Sequence, residues 1–572
     1  MHLQLALALC PVLSQEPDAT LEPLRGMVEL YSSDRAALQR KYGVPMSEHE
    51  RERIEEFHSG WLARLEEVDF AALSKDGRID HVLLANLLAS ELRRLAHERA
   101  RDAEVAALVP FHAGIVALLE ARREMRPVEG RGSAEWLAGL ALEIEAARAR
   151  WSEGEAAESA EGAVEVARTV ANRAAGRVDD LRRELEDWYR FYAGYDPLFT
   201  WWAAKPYDEV SEALRGYARF LREKLAGIDP DDADAIVGDP IGSDALLDEL
   251  AFEMIPYAPE ELVEIAESEL AWCDAEMLRA SRELGFDDDW RKAQDHVKDM
   301  HVEPGEQPEL IRSLAEEAID FLELRDLVTV PELAKETWRM SMMSPERQKV
   351  NPYFLGGEVI QVSFPTDAMA HADKLMSMRG NNVHFARATV HHELIPGHHL
   401  QQFMTQRYRA HRSVFRTPFW VEGWALYWEM LLWDLGFPRS PEDRVGMLFW
   451  RKHRCARIVF SLRFHLGEMT AQEAIDFLVE QVGHERNNAT AEVRRSVAGS
   501  YGPLYQAAYM LGGLQLRALH RGLVESGRMT DREFHDAVLR NGPIPIAMVR
   551  AALTGEELAR DHEPDWRFYE GR

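Results

Sequence analysis

Three cysteines in 572 residues, Cys10, Cys273 and Cys455, are too few for a disulfide framework. They also lack the paired close spacing of a thiolate zinc site. The chain must therefore hold itself together with a hydrophobic core, which its length suffices to bury. Positive charge is scarce as well: 67 Lys plus Arg face 98 Asp plus Glu, a formal net charge of −31. That field repels phosphate backbones, and no basic patch stands out against it, so a nucleic-acid partner is not expected. No segment beyond the N-terminus is apolar over a length that would cross a bilayer, and no repeat of fixed period is found. With 46% hydrophobic and 29% charged residues, disorder is excluded as the main state.

At the N-terminus, Leu3–Leu13 is a short apolar run followed by the small residue Ser14, but no Lys or Arg precedes it. Residues 1–14 read as a candidate secretory leader with a poor start. A periplasmic or extracellular location follows if that leader is real, a cytoplasmic one otherwise. Cys10 follows the bulky Leu9, which argues against lipidation there.

The abundant pattern is helical. Residues 15–235 are rich in Ala, Leu, Glu and Arg with 3.6-type spacing, as in Val178, Leu181, Leu185 and Trp188. The acidic stretch Glu153–Glu161 reads as a solvated turn, and Gly227–Ser243 as a looser connection. A second region, 236–572, holds the chemistry-bearing motifs; the two are expected to form one intertwined unit. A helix should start at Pro259 and stop near Gly285. The one convincing β segment is Tyr353–Phe364, read as a hairpin turning at Gly356-Gly357. A strand edge there is one way to hold an extended peptide.

Residues 391–399 read HHELIPGHH. The zinc-peptidase pattern H-E-x-x-H works because i and i+4 share a helical face, with the Glu beside the metal-bound water. Here Pro396 holds the i+4 position, and His398 is six residues after His392. In a straight helix six steps of roughly 100° put it on the wrong side. Pro396 lacks an N–H and disfavours helix at Ile395, and Gly397 tolerates unusual dihedrals. A local bulge absorbing two residues would bring His398 to His392. The competing pair His391 and His398 shares a face but is about 10.5 Å apart along the axis, and His399 is a further candidate ligand.

Residues 417–436 form a helix apolar on nearly every side, with Thr417 as N-cap, Pro418 in the first turn and Gly436 as the stop. Glu422 and Glu429 on it are therefore acids in apolar surroundings that need a cation, a histidine or a proton. Glu422 is the expected third ligand, completing two histidines and a carboxylate with a fourth position for water. Glu429 is expected behind the ligands, accepting from a ligand histidine, and Gly423 allows close backbone approach. An ion pair to Arg is the alternative for Glu422.

With these residues in hand the sequence resembles the bacterial domain-of-unknown-function 885 family. Its H-E-x-x-P-G-H-H-x-Q hallmark stands here as His392 to Gln401, and Glu422–Ala425 matches its EGWA run. Weaker matches are Ile241–Leu246, Arg457, His465, Glu492, Arg494, Gln506, Ala507, Tyr509 and Gly512; Ser461 and Arg463 depart from the family pattern. The resemblance implies a gluzincin-like metallopeptidase: a mainly α, two-lobed helical body around a deep cleft, with a small β hairpin or sheet near the active site.

The resulting expectation is one Zn²⁺ per chain on His392, His398 and Glu422, with Glu393 as general base. Tyr509 is the first choice for stabilising the oxyanion, followed by Tyr505 and His465. Glu429 and His399 are expected to support the ligands and Tyr505 to contact substrate; for Arg457 and Arg494 structural ion pairing is the leading use, with binding of a substrate carboxylate the alternative. The substrate is expected to be a short peptide or small amide. The alternatives are an amidase or esterase acting on a non-peptide, or a helical binding protein without turnover. A homodimer is compatible with the sequence and not required by it.

Overall fold

A computed structural model describes residues 23–152, 166–229, 231–232, 235–348, 353–498 and 501–571. The candidate leader and the acidic stretch Glu153–Glu161 lie outside the described residues. The protein is mainly α. None of the described helices is long and apolar enough to cross a membrane.

The described residues open with three helices: α1 (Pro23–Lys41), α2 (Glu48–Glu66) and α3 (Lys75–Val105). Four more, α4 (His112–Arg123), α5 (Gly130–Ser152), α6 (Arg168–Tyr192) and α7 (Pro197–Phe220), share a core of their own. On α6 the buried side chains are Ala171, Ala174, Ala175, Val178, Leu181, Leu185 and Trp188, one stripe at helical spacing. The loop anticipated at 227–243 leads to α8 (Ser243–Phe252), and the helix expected from Pro259 is α9 (Pro259–Glu283).

The core is not divided by sequence position. Leu24, Val28, Trp61, Leu83 and Leu87 from the first helices pack in one cluster with Trp420, Trp424, Trp428 and Leu516. A buried Arg412 reinforces this join, its Nε 2.7 Å from Asp80 Oδ1 on α3 and its Nη1 3.0 Å from the carbonyl of Asn541.

The β structure differs from the expected hairpin. Strand β1 (Arg339–Met342) lies parallel to β2 (Val359–Val362), in register from Arg339 opposite Val359 to Met342 opposite Val362. The turn at Gly356-Gly357 contributes only an antiparallel bridge between Leu355 and Gln361. β1 was not legible because its residues, RMSM, include no β-branched or aromatic side chain. Ile360 and Val362 of β2 are fully buried against Ala386, Val390 and Leu394, which anchors the sheet to the helix carrying the first histidines.

Candidate metal centre

That helix, α10 (Val383–Glu393), is capped by Asn382, whose side chain accepts from the N–H groups of His384 and Phe385. It stops at Glu393; Leu394 takes φ −108° and ψ −105°, and α11 (His398–Thr405) starts afresh four residues later. The expected bulge in a continuous helix is thus a break between two helices, across a cis Ile395–Pro396 peptide. The break is fastened from both sides. Gly397 N–H donates to His391 O, His399 N–H to Leu394 O, and Trp424 Nε1 to Pro396 O at 2.8 Å. A Cβ on Gly397 would sit 1.8 Å from His392 O, so only glycine fits there.

Folded this way, His392 and His398 come together edge to face, ring centroids 4.9 Å apart. Glu422 meets them from α12 (Pro418–Asp434), the helix capped by Thr417. Its Oε2 lies 3.1 Å from His398 Nε2 and 3.8 Å from His392 Nε2, and is buried without a hydrogen-bond partner. The three atoms fall within 4.8 Å of one another. Two imidazole nitrogens and an unsatisfied carboxylate oxygen converging on one point suit a divalent ion of borderline softness, whose ligands in tetrahedral zinc sites lie about 2.0–2.2 Å from it.

Behind His392, Glu429 accepts from Nδ1 at 2.6 Å, which aims Nε2 at Glu422. Burial alone would lower His392, but the carboxylates of Glu422 and Glu429 hold it at about 9. The same histidines outweigh burial at Glu422 and keep its carboxyl well below the usual range. Glu393 is pushed the other way, raised by burial against the pull of His392 and His398. The turn before β2 lies directly on it: Gly357 N–H donates to Glu393 O at 3.1 Å, and a Cβ on Gly356 would come 2.3 Å from Glu393 Oε2.

The tyrosines come from α14 (Tyr505–His520), which follows α13 (Pro441–His465) in the chain. α12 and α14 meet backbone to backbone: a Cβ on Gly512 would sit 2.1 Å from Phe419 O, and one on Gly423 2.6 Å from Gly512. Tyr505 hydroxyl donates to Glu422 Oε1 at 2.5 Å, so this residue holds the Glu422 carboxylate as well as lining the cleft. The Tyr509 ring stacks along His392 at 6.2 Å and 16°. Burial and the charge of Glu422 raise its hydroxyl above the usual phenol value, so it stays protonated.

These groups open into a cleft of about 720 Å³, a size suited to a small ligand. Besides Glu429 behind His392, three of the expected site residues stand apart from it. His399 is buried with its Nε2 on Ala334 O at 2.8 Å, because the new helix points it away from His398. His465, at the end of α13, is held down at about 4 by burial and Arg101 and does not line the cleft. Arg494 is likewise not among the lining residues, whereas its neighbour Arg495 is. Arg457 lines the cleft while its Nε donates to Glu492 at 2.6 Å. His391, the alternative ligand, is buried against Phe437 and pushed down to about 3 by burial. Sequence reasoning passed over Arg454, Arg495, Trp450 and Tyr501, all lining the cleft. The i, i+3 spacing of Arg454 and Arg457 beside Trp450 was the available signal.

A family model described as "Bacterial protein of unknown function (DUF885)" matches residues 34–553. No curated protein matches the sequence. Among solved structures, a candidate lipoprotein of unknown function from Shewanella oneidensis superposes with a TM-score of 0.68 at 17% identity, covering 93% of this chain and 100% of that one. A candidate lipoprotein from Colwellia psychrerythraea gives a TM-score of 0.57 at 15% identity, covering 93% and 98%. At these identities the likeness is one of fold.

Proposed function

The chain belongs to the DUF885 family of bacterial proteins of unknown function, and from the centre it carries we propose that it is a zinc-dependent hydrolase of short peptides. One observation carries the reading: the convergence of His392 Nε2, His398 Nε2 and the unpartnered Glu422 Oε2, with Glu393 next to His392 in the same cleft. When bound, the ion supplies the positive charge that lowers the pKa of water from about 15.7 toward about 7 and polarises the scissile carbonyl.

The protein's own groups account for the remaining steps. Glu393, raised by burial, takes a proton from the attacking water and passes it to the amine nitrogen as the C–N bond breaks. The products are one carboxylate and one amine. Tyr509, kept protonated, donates to the oxygen on which negative charge develops. Glu429 fixes the tautomer and orientation of His392. Tyr505 holds Glu422 from the opposite side. The candidate lipoprotein neighbours favour an exported protein, in keeping with the leader read at residues 1–14.

The test is metal content in protein purified without added zinc, measured together with hydrolysis of a peptide library. Near one zinc per chain is expected, strongly reduced in Glu422→Gln. Glu393→Gln should keep the zinc and lose hydrolysis by about 10²–10⁴-fold. Absence of zinc binding even after zinc is supplied would overturn the proposal.

A further inference from the structure

One wall of the cleft gathers three arginines, Arg454, Arg457 and Arg495. Arg454 and Arg457 of α13 both place their guanidinium carbon 4.6 Å from the centroid of the Tyr509 ring. Both are deeply buried, 6% and 2% exposed, and both line the cleft. Arg495 lines the same wall. Among the described residues, the carboxylate dedicated to this group is Glu492, which accepts from Arg457 Nε at 2.6 Å and pairs with Arg495 Nη2 at 2.5 Å. Glu429 is 3.9 Å from Arg454 and already taken by His392. Arg457 Nη1 and Arg454 Nε have no hydrogen-bond partner although they are buried. Buried guanidinium groups side by side with donors unspent are costly without an anion to receive them.

Planar guanidinium groups are matched by carboxylate, which they bind through paired N–H donors. Tyr509 touches both the arginines and His392, stacked on the histidine at 6.2 Å. An extended peptide advances about 3.3–3.6 Å per residue, so the 6.2 Å from the Tyr509 ring, on which both arginines sit, to His392 matches one or two residues.

We propose that Arg454 and Arg457 bind the terminal carboxylate of the substrate peptide, so that the protein removes one or two residues from the C-terminal end. This rests on the hydrolase reading above and adds the end from which cleavage is measured. Arg495 and Glu492 hold Arg457 in place.

The experiment compares N-acetylated pentapeptides bearing a free C-terminal carboxylate with the same peptides as C-terminal amides, using zinc-loaded protein and mass spectrometry of the products. Free acids should be cut at the last or penultimate bond, and amides at least about tenfold more slowly, chiefly through KM. In Arg454→Met that preference should shrink, and Arg454→Lys should restore part of it. Equal cleavage of acids and amides would overturn this inference and leave the hydrolase reading intact. Titration of an N-acetyl dipeptide acid and its amide into Glu393→Gln protein gives a readout independent of turnover. Acid-selective binding that Arg454→Met abolishes supports the carboxylate site even if no peptide is hydrolysed, which would count against the hydrolase reading alone. Absence of selectivity for the acid in that titration overturns the site, whether or not the variants fold.

Discussion

Helices α4–α7 and helices α10–α14 bury their side chains on opposite principles. Among the described residues from 105 to 228, the one buried polar side chain is Ser133, and the core is Ala, Val, Leu, Ile and aromatic. Helix α13 alone buries Asp443, Arg451, Lys452, His453, Arg454, Arg457, Ser461 and His465. The first region spends its interior on transfer of apolar surface from water, at roughly 25 cal/mol per Å². In the second, buried charges must be matched one by one, and the energy depends on each partner being present.

The sharpest way to break that contrast is to remove one partner from the charged half. Glu492→Gln leaves Arg457 and Arg495 without their carboxylate and should cost about 3–5 kcal/mol in denaturant unfolding. A loss within experimental error would show that the buried charges are not paired in the way described. The acid response follows from the same group. Burial alone would raise Glu492, but Arg457 and Arg495 hold its carboxyl at about 2, against an ordinary 4.5. Its contribution is present in full above about pH 4.5 and disappears as pH falls through about 2, in total about 3 kcal/mol. Hydrogen exchange in acid should therefore lose protection around α13 and α14 before α6 and α7.

A cavity in the apolar half provides the complementary test. Leu181→Ala, at a fully buried position of α6, should cost about 2–5 kcal/mol. It should leave zinc stoichiometry per folded molecule unchanged and the acid profile unshifted. Coupled loss of zinc would mean that the two regions are not energetically separable. The smallest effect is expected at the surface. Arg215 pairs with Glu212 at 2.7 Å, their side chains 54% and 68% exposed, and Arg215→Ala should change stability by less than about 0.5 kcal/mol.

How much of this was legible in sequence depended on whether the signal was local. α12 was readable from Thr417, Pro418 and Gly436, because caps and stops act within a few residues. His392, His398 and Glu422 were readable as metal-binding types, but their meeting point depends on a chain reversal that spacing alone describes poorly. His399 and His465 look like their useful neighbours in sequence, and only the direction of a helix face separates them. α13, with RKHRCAR at its centre, has the composition of a solvated helix. Its burial depends on Glu269, Asp274 and Glu492, which arrive from distant segments. β1 was missed because its pairing with β2, and not its composition, makes it a strand.

The contact of Gly423 with Gly512 has a practical consequence. With no side chain between them, the spacing of α12 and α14 is set by two backbones in direct touch. Alanine at position 512 would act as a shim one methyl group thick, driven between the helix that carries Glu422 and the helix that carries Tyr505. The thickness of that shim would tune the reach of Tyr505 to Glu422 without altering either residue, a mechanical adjustment built into the seam of the protein.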